Sequence, residues 1–297
     1  MNNRTIGTSY ILISALFYGS YGIWSRLMVG AFGEFSQAWT RGLLLLVVVL
    51  LLNWKLKFIR KIEKKDWKWF LAIAIAGGIN QAPYFLGFEH LSIGTATLLF
   101  YASLVVGGYI LGKIFFSERM TVVKIISLLI AILGMVLIYG FTLTPSQMFP
   151  ASMTVLAGLL GASTVILPKK LIGNYHELQI MLGYFICQVL FNYPMALILG
   201  DALPVLQIST PWLGQLGYAV AMMLANMAVI TGFGYLEPSI GSLIGLAEIL
   251  FGVMFGVVIF GEVLGAGVIA GGICIILAAA LPSLAELKLK QRLILEA

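Results

Sequence analysis

Between Pro238 and Glu262 the chain reads PSIGSLIGLAEILFGVMFGVVIFGE, and Glu248 is the one charge inside that run. At about 1.5 Å per helical residue it spans roughly the 30 Å of a bilayer's hydrocarbon core. In lipid every backbone polar group must be satisfied within the chain, so a lone run of this length is a helix. Similar runs fill the sequence, at roughly 6–29, 35–54, 67–89, 92–115, 121–141, 151–171, 177–199, 211–235, 238–260 and 263–283. The reading is an all-α integral membrane protein with ten transmembrane helices.

Charge supports this and gives an orientation. Only 10% of the 297 residues are charged and the mean hydropathy is +1.03, where a soluble domain carries about 25% charged residues. All of the 18 lysines and arginines except Arg26 and Arg41 fall at the N-terminus, in alternate loops or at the C-terminus, most densely at 55–68. The positive-inside rule then places both termini in the cytoplasm, with the chain multi-pass in the cytoplasmic (inner) membrane. The basic residues mark topology, so no nucleic acid partner is expected. The 55–68 cluster can also meet anionic headgroups, but orientation alone accounts for it. The run at 6–29 is long for a signal-peptide core, and its retention is expected. Cys187 and Cys274 both sit in apolar runs and give neither a disulfide framework nor metal-ligand spacing.

The order of features repeats. FFSER ends at Arg119 and carries Glu118, and IFGEV carries Glu262; HLSIGTAT from His90 aligns with YLEPSIGS from Tyr235 after a one-residue slip. Asn80 and Asn226 hold similar places in spans three and eight. Five spans per half make the second half start on the opposite side, so residues 6–141 and 151–283 read as two inverted five-helix repeats. That plan recurs in secondary transporters, with the site near the midplane.

A carboxylate at mid-depth costs on the order of 3 kcal/mol or more. Glu248 shares one helical face with Gly241, Gly245, Gly252 and Gly256. Either it faces a wet cavity or it clamps helices by hydrogen bonding. Tyr18 and Tyr21 share a face with Ser14 and Ser25 in span one; Trp24 beside them reads as cavity wall or, preferably, as an interface anchor. Asn80, Gln81 and Tyr84 surround Pro83 in span three, where paired amides need a substrate, water or helix partner. Tyr101 in span four and Asn226 in span eight complete the set. Gln188, Asn192 and Tyr193 read as packing or gate residues. Arg41 has three readings: snorkelling outward, pairing with a carboxylate such as Glu34, or binding carbonyls at a helix end. Glu118 and Glu262 are expected at helix ends on the cytoplasmic side, and His90 and His176 on opposite sides. No phosphate loop, H-E-x-x-H or cysteine pair occurs, so neither a cofactor nor a metal is expected.

The chain resembles the EamA-type members of the drug/metabolite transporter superfamily. The resemblance rests on Gly261-Glu262 and Ser117-Glu118 before each half's last helix, on Arg41 in WTRGLLLL, and on AEILFGVMFGVVIFGE, similar to the family's "lEPvfaallgvlllgE". Ile249 and Val105 stand where the family often has proline, so nothing that depends on a proline bend carries over. The resemblance implies ten helices, with one, three, four, six, eight and nine around a central cavity and five and ten outside. Gly267 and Gly271 give helix ten a packing face. It implies a structural or gating role for Arg41.

Together these features point to a secondary transporter of a small organic metabolite working by alternating access. Tyr18, Tyr21, Asn80, Tyr84, Tyr101, Asn226 and Glu248 are the expected substrate contacts, and Glu248 is the expected proton-coupling group. Aromatic faces with one carboxylate favour a cationic or zwitterionic solute. The expected partners are that solute and the lipid bilayer, with the chain a monomer or homodimer. A non-transporting scaffold or receptor, or an intramembrane enzyme, are the alternatives.

Overall fold

Ser92 and Thr121 each turn a side-chain oxygen onto the N–H three residues on, which starts a helix at those points. Pro238 occupies a first turn, where its missing N–H is harmless. The computed structural model describes residues 3–141 and 143–295. Its helices are α1 (Asn3–Gly19), α2 (Tyr21–Arg26), α3 (Glu34–Leu56), α4 (Trp67–Ile79), α5 (Gln81–His90), α6 (Ile93–Phe116) and α7 (Val122–Tyr139), then α8 (Met148–Ile166), α9 (Glu177–Leu199), α10 (Thr210–Tyr235), α11 (Pro238–Gly245), α12 (Ala247–Phe260) and α13 (Ala266–Leu295). Among the described residues no strand forms.

Nine helical stretches among the described residues are long and apolar enough to cross a membrane. The tenth expected span starts later than Val263. Gly261 takes a left-handed conformation that ends α12, the next helical residue is Ala266, and the apolar part, Ala266–Pro282, is shorter than the others. The side chains of Lys288, Lys290 and Arg292 lie outside the described residues. Leu51, Leu129, Leu190 and Val258 stand exposed on the outer surface. Such an apolar exterior suits lipid, and this is a multi-pass membrane protein.

Three spans are interrupted. The first breaks at Ser20, the third at Asn80 and the ninth at Leu246. None of those breaks falls at a proline. α1 lies along α10, α11 and α12, while α8 lies along α4, α5 and α6. Spans one and six therefore pack in matching positions against spans of the other half. α3 lies along α9. α7 and α13 pack on each other through glycines: a Cβ at Gly134 would stand 2.7 Å from the Gly271 carbonyl oxygen, and one at Gly267 2.6 Å from that of Leu137. These close approaches match the expected packing face of helix ten.

The two "gE" turns share one geometry. Ser117 and Gly261 both take left-handed φ, at 52° and 67°. The Glu118 N–H bonds the Gly112 carbonyl at 3.0 Å and the Glu262 N–H bonds that of Gly256 at 3.1 Å. The preceding Ser117 and Gly261 N–H groups reach the same two carbonyls, and together these bonds close the helix C-terminus. Each glutamate then folds back over that glycine.

The two glutamates do not share a membrane face as expected. Glu118 accepts the N–H of Ser239 at the start of α11. Glu262 follows the end of α12, a 23-residue span away, roughly 35 Å. An inverted order of spans requires that separation. The Glu118 face is the basic one: Lys124 binds Glu118, Lys169 Nζ donates to the Leu236 carbonyl, and Lys170 sits 4.6 Å over Phe116. The loop carrying Lys57 to Asp66 is tied there through Gln179 to Arg60 and through Tyr175 to Asp66. His176 stacks on Phe58 at that end, while the His90 carbonyl accepts from Gln147 at the other.

Candidate functional site

The helix breaks bring polar side chains to one place. A cavity of about 660 Å³ lies among the spans, within the size range of small-molecule sites. Tyr18, Tyr21, Asn80, Tyr84, Tyr101, Asn226 and Glu248, all singled out in the sequence, line it. So do Ser14 and Ser25, and the whole stripe of Gly241, Gly245, Gly252 and Gly256. A Cβ at Gly245 would meet nothing within 4 Å, so that glycine leaves open space beside Glu248.

Two aromatic groups form parts of the wall. In one, Tyr18 meets Tyr21 edge-on at 5.4 Å and Tyr21 lies 4.0 Å from Tyr218. The Tyr18 hydroxyl donates to Asn226 Oδ1 at 3.2 Å, and Asn226 Nδ2 donates back to the Met222 carbonyl at 2.8 Å. Asn226 is thereby held in a fixed orientation by Tyr18 and its own helix. In the other, Tyr84 meets Phe100 edge-on at 4.8 Å and Phe100 meets Tyr101 at 5.3 Å. The Tyr101 hydroxyl faces the Glu248 carboxylate. Glu248 stands in the first turn of α12, just past the break at Leu246, where unpaired N–H groups favour a negative charge. Asn80 Oδ1 is buried without a hydrogen-bond partner.

Several lining residues went unassigned in the sequence. Arg41 is 6% exposed, lines the cavity and lays its guanidinium 3.7 Å over the Tyr218 ring. It neither snorkels outward nor pairs with Glu34. Gln188 and Tyr184 bring span seven into the wall, and Tyr139 reaches in from helix five. The cavity is therefore walled by spans two, five and seven as well as the six expected. Tyr218, Met222, Asn226, Val229 and Phe233 line it at helical spacing, so the face of Asn226 was the signal that leads to Tyr218. Tyr184 and Gln188 stand one turn apart in the same way. Asn192 is a packing residue, bonded to the Gly78 and Gln188 carbonyls, and Tyr193 stacks edge-on against Trp39 outside the cavity. Trp24 packs over Gly217 and donates to Ser20 Oγ at 3.2 Å, so it is a helix contact of α10 rather than an interface anchor.

The two ends of the cavity differ. At one end it reaches Arg26, Phe260 and Glu262. Arg26 and Glu262 form an ion pair whose side chains are each half exposed, and the Arg26 guanidinium lies 3.8 Å over Phe260. Beyond Ser242, outside the cavity lining, a buried ion cluster joins the two halves. Lys124 Nζ lies 2.7 Å from both Glu118 and Glu237, Glu118 is buried, and Ser239 gives it both its N–H and its hydroxyl. Glu118 and Lys124 come from the first half, Glu237 and Ser239 from the second.

Residues 5–140 match the model of the EamA-like transporter family. A solved crystal structure, described only as that of a protein, superposes with a TM-score of 0.80 at 14% identity, over 95% of this chain and 98% of its own. That likeness is one of fold. No curated protein matches the chain.

Proposed function

From the match of residues 5–140 to the model of the EamA-like transporter family, we propose that the chain is a secondary transporter of a small organic solute. It works by alternating access in the cytoplasmic membrane, with both termini inside. The ten spans form two inverted repeats, 6–141 and 151–283, which rock against each other about the cavity. The observation that carries this reading is the unequal pair of ends. A cavity lined by both halves reaches a half-exposed ion pair at one face, and toward the other face a buried ion cluster joins the halves, which we read as a seal. A scaffold has no need for a lined hollow sealed on one side only.

The solute binds between the tyrosine groups. Tyr18, Tyr21, Tyr84 and Tyr101 supply aromatic faces and hydroxyls, Asn80 a free acceptor, and Asn226 a fixed amide. Glu248 supplies the charge that attracts a cationic group. When ionised it accepts the Tyr101 hydroxyl and holds the solute's cation; when it takes a proton that hold is lost, which is how a proton gradient drives the solute. The test is reconstitution into liposomes with an amine and amino-acid panel. Saturable counterflow of a panel solute is expected. Absence of counterflow for every solute, with the protein correctly inserted, refutes transport, and ionic currents far above carrier turnover refute a carrier.

A further inference from the structure

Arg41 is a buried charge with no ion-pair partner in contact among the described residues. Its side chain lies in the cavity wall, 6% exposed, and Nε has no hydrogen-bond partner. No described carboxylate forms an ion pair with it, and the acidic residue nearest along its helix, Glu34, is two turns away and exposed. The Tyr218 ring under its plane offsets part of the desolvation, but gives the Nε–H at the edge of the fork no acceptor. A buried guanidinium in that state calls for an anion. Nearby, Gln188 is 5% exposed in the same wall and its Oε1 is also without a partner. An amide whose ends can exchange by rotation turns its NH₂ toward an acid as readily as its oxygen toward a cation.

We infer that Arg41, backed by Tyr218 and flanked by Gln188, is the carboxylate-binding group of the cavity. The inference rests on the reading of this cavity as a solute site. It narrows the solute to one carrying a carboxylate. A planar guanidinium matches a carboxylate bidentately, through two parallel N–H donors. Glu248 stands with the other aromatic group of the same cavity, against Tyr101, so the site holds one fixed positive and one fixed negative charge. A zwitterion with an apolar or aromatic body satisfies both. A dianion such as phosphate leaves excess negative charge facing Glu248.

The experiment uses the purified full chain in a buffer free of chloride and carboxylates. Melting shifts are titrated with a panel of L-amino acids, the matching amino-acid amides, 3-phenylpropionate, phenethylamine, sodium chloride and inorganic phosphate. At least one free acid is expected to bind about 10-fold or more tightly than its amide. In Arg41→Lys, which keeps the charge and loses the fork, that preference falls several-fold, the acid losing more affinity than its amide. Arg41→Gln abolishes the preference. Acids and amides binding alike to the unaltered protein overturn the inference without any variant. So does a panel in which no acid shifts the melting point, or a shift by chloride or phosphate equal to that of the acids. Counterflow of the best acid in liposomes separates the two readings. Acid-selective binding without counterflow refutes transport and leaves the Arg41 site standing. Counterflow unaltered in Arg41→Lys, with acid and amide carried alike, refutes the Arg41 site and leaves transport standing.

Discussion

Replacing Lys124 with methionine removes the centre of the seal on the basic face. The Lys124 side chain is 7% exposed and that of Glu118 1%, whereas Glu237 is 51% exposed. Losing the ammonium strands Glu118 as a buried carboxylate, and breaking a buried pair costs about 3–5 kcal/mol. Glu118 keeps the N–H and hydroxyl of Ser239, which places the loss near the lower end, about 3 kcal/mol. The half-exposed contact to Glu237 adds at most about 1 kcal/mol. If the cluster forms only while this face is shut, about 3 kcal/mol moves the balance of the two forms by roughly 100-fold toward the form open at this face.

Thiol labelling reads that shift. Ser242 lines the cavity one turn beyond Ser239, and its hydroxyl is buried without a partner. In a background with Cys187 and Cys274 replaced by alanine, Ser242→Cys is expected to resist an impermeant thiol reagent added at the basic face. Adding Lys124→Met is expected to raise its labelling rate there by at least about 10-fold. The double change Glu118→Gln with Lys124→Met separates opening from misfolding. It leaves no stranded carboxylate, so both the melting temperature and the slow labelling are expected to return toward those of the unaltered protein; labelling that stays fast in it reports misfolding rather than opening. Unchanged labelling in folded Lys124→Met refutes the assignment of this cluster as a seal.

Two further outcomes follow from the same geometry. Glu248→Gln is permanently neutral and cannot exchange a proton, so flux driven by a pH gradient should vanish and solute affinity in counterflow should fall while expression persists; unaltered driven flux removes Glu248 from coupling. Ser117 adopts the left-handed conformation that Gly261 adopts without penalty, so Ser117→Gly should stabilise the protein by about 1 kcal/mol and Gly261→Ala should destabilise it by a similar amount, both read by thermal melting in detergent.

What the sequence revealed of the site depended on how each residue type announces itself. Glu248 was visible because a lone carboxylate in an apolar run is too costly to persist unless it faces water or a bonding partner. The tyrosines and asparagines were visible as polar faces at helical spacing. Arg41 was not assigned because an arginine near a span's end has cheap alternatives: its long stem snorkels, or a nearby carboxylate pairs with it. Only the three-dimensional placement excludes both, by burying the guanidinium over Tyr218 and leaving Glu34 outside. The helix breaks were hidden for a related reason. Pro83 alone pointed to a bend, and its missing N–H leaves the Ile79 carbonyl without a helical partner at the Asn80 break, whereas the breaks at Ser20 and Leu246 have no proline beside them to announce them. The side of Glu262 follows from the parity of the spans, and the similarity of the two "gE" turns hid that they lie a membrane's thickness apart.

That pair of turns leads to the strongest test of the alternating mechanism. Glu118 and Glu262 have the same backbone bond and each reaches into the opposite half, Glu262 to Arg26 and Glu118 to Ser239, but only Glu118 holds a serine at a helix start. Ser239 opens the sequence Ser239-Ile240-Gly241-Ser242, and its counterpart in the first half is Ser92-Ile93-Gly94-Thr95. Ser92 is exposed here and spends its hydroxyl oxygen on capping its own helix at Thr95. If the halves are related by inversion and exchange roles during transport, the missing contact is Glu262 with Ser92. It forms only when the Glu262 face shuts and the Lys124 cluster opens. Cysteines at Ser92 and Glu262, without the native cysteines, should therefore cross-link slowly in the otherwise unaltered protein and faster by about 10-fold or more when Lys124→Met is added. Equal cross-linking rates with and without that change would show that the two ends do not alternate, however well the halves match in sequence.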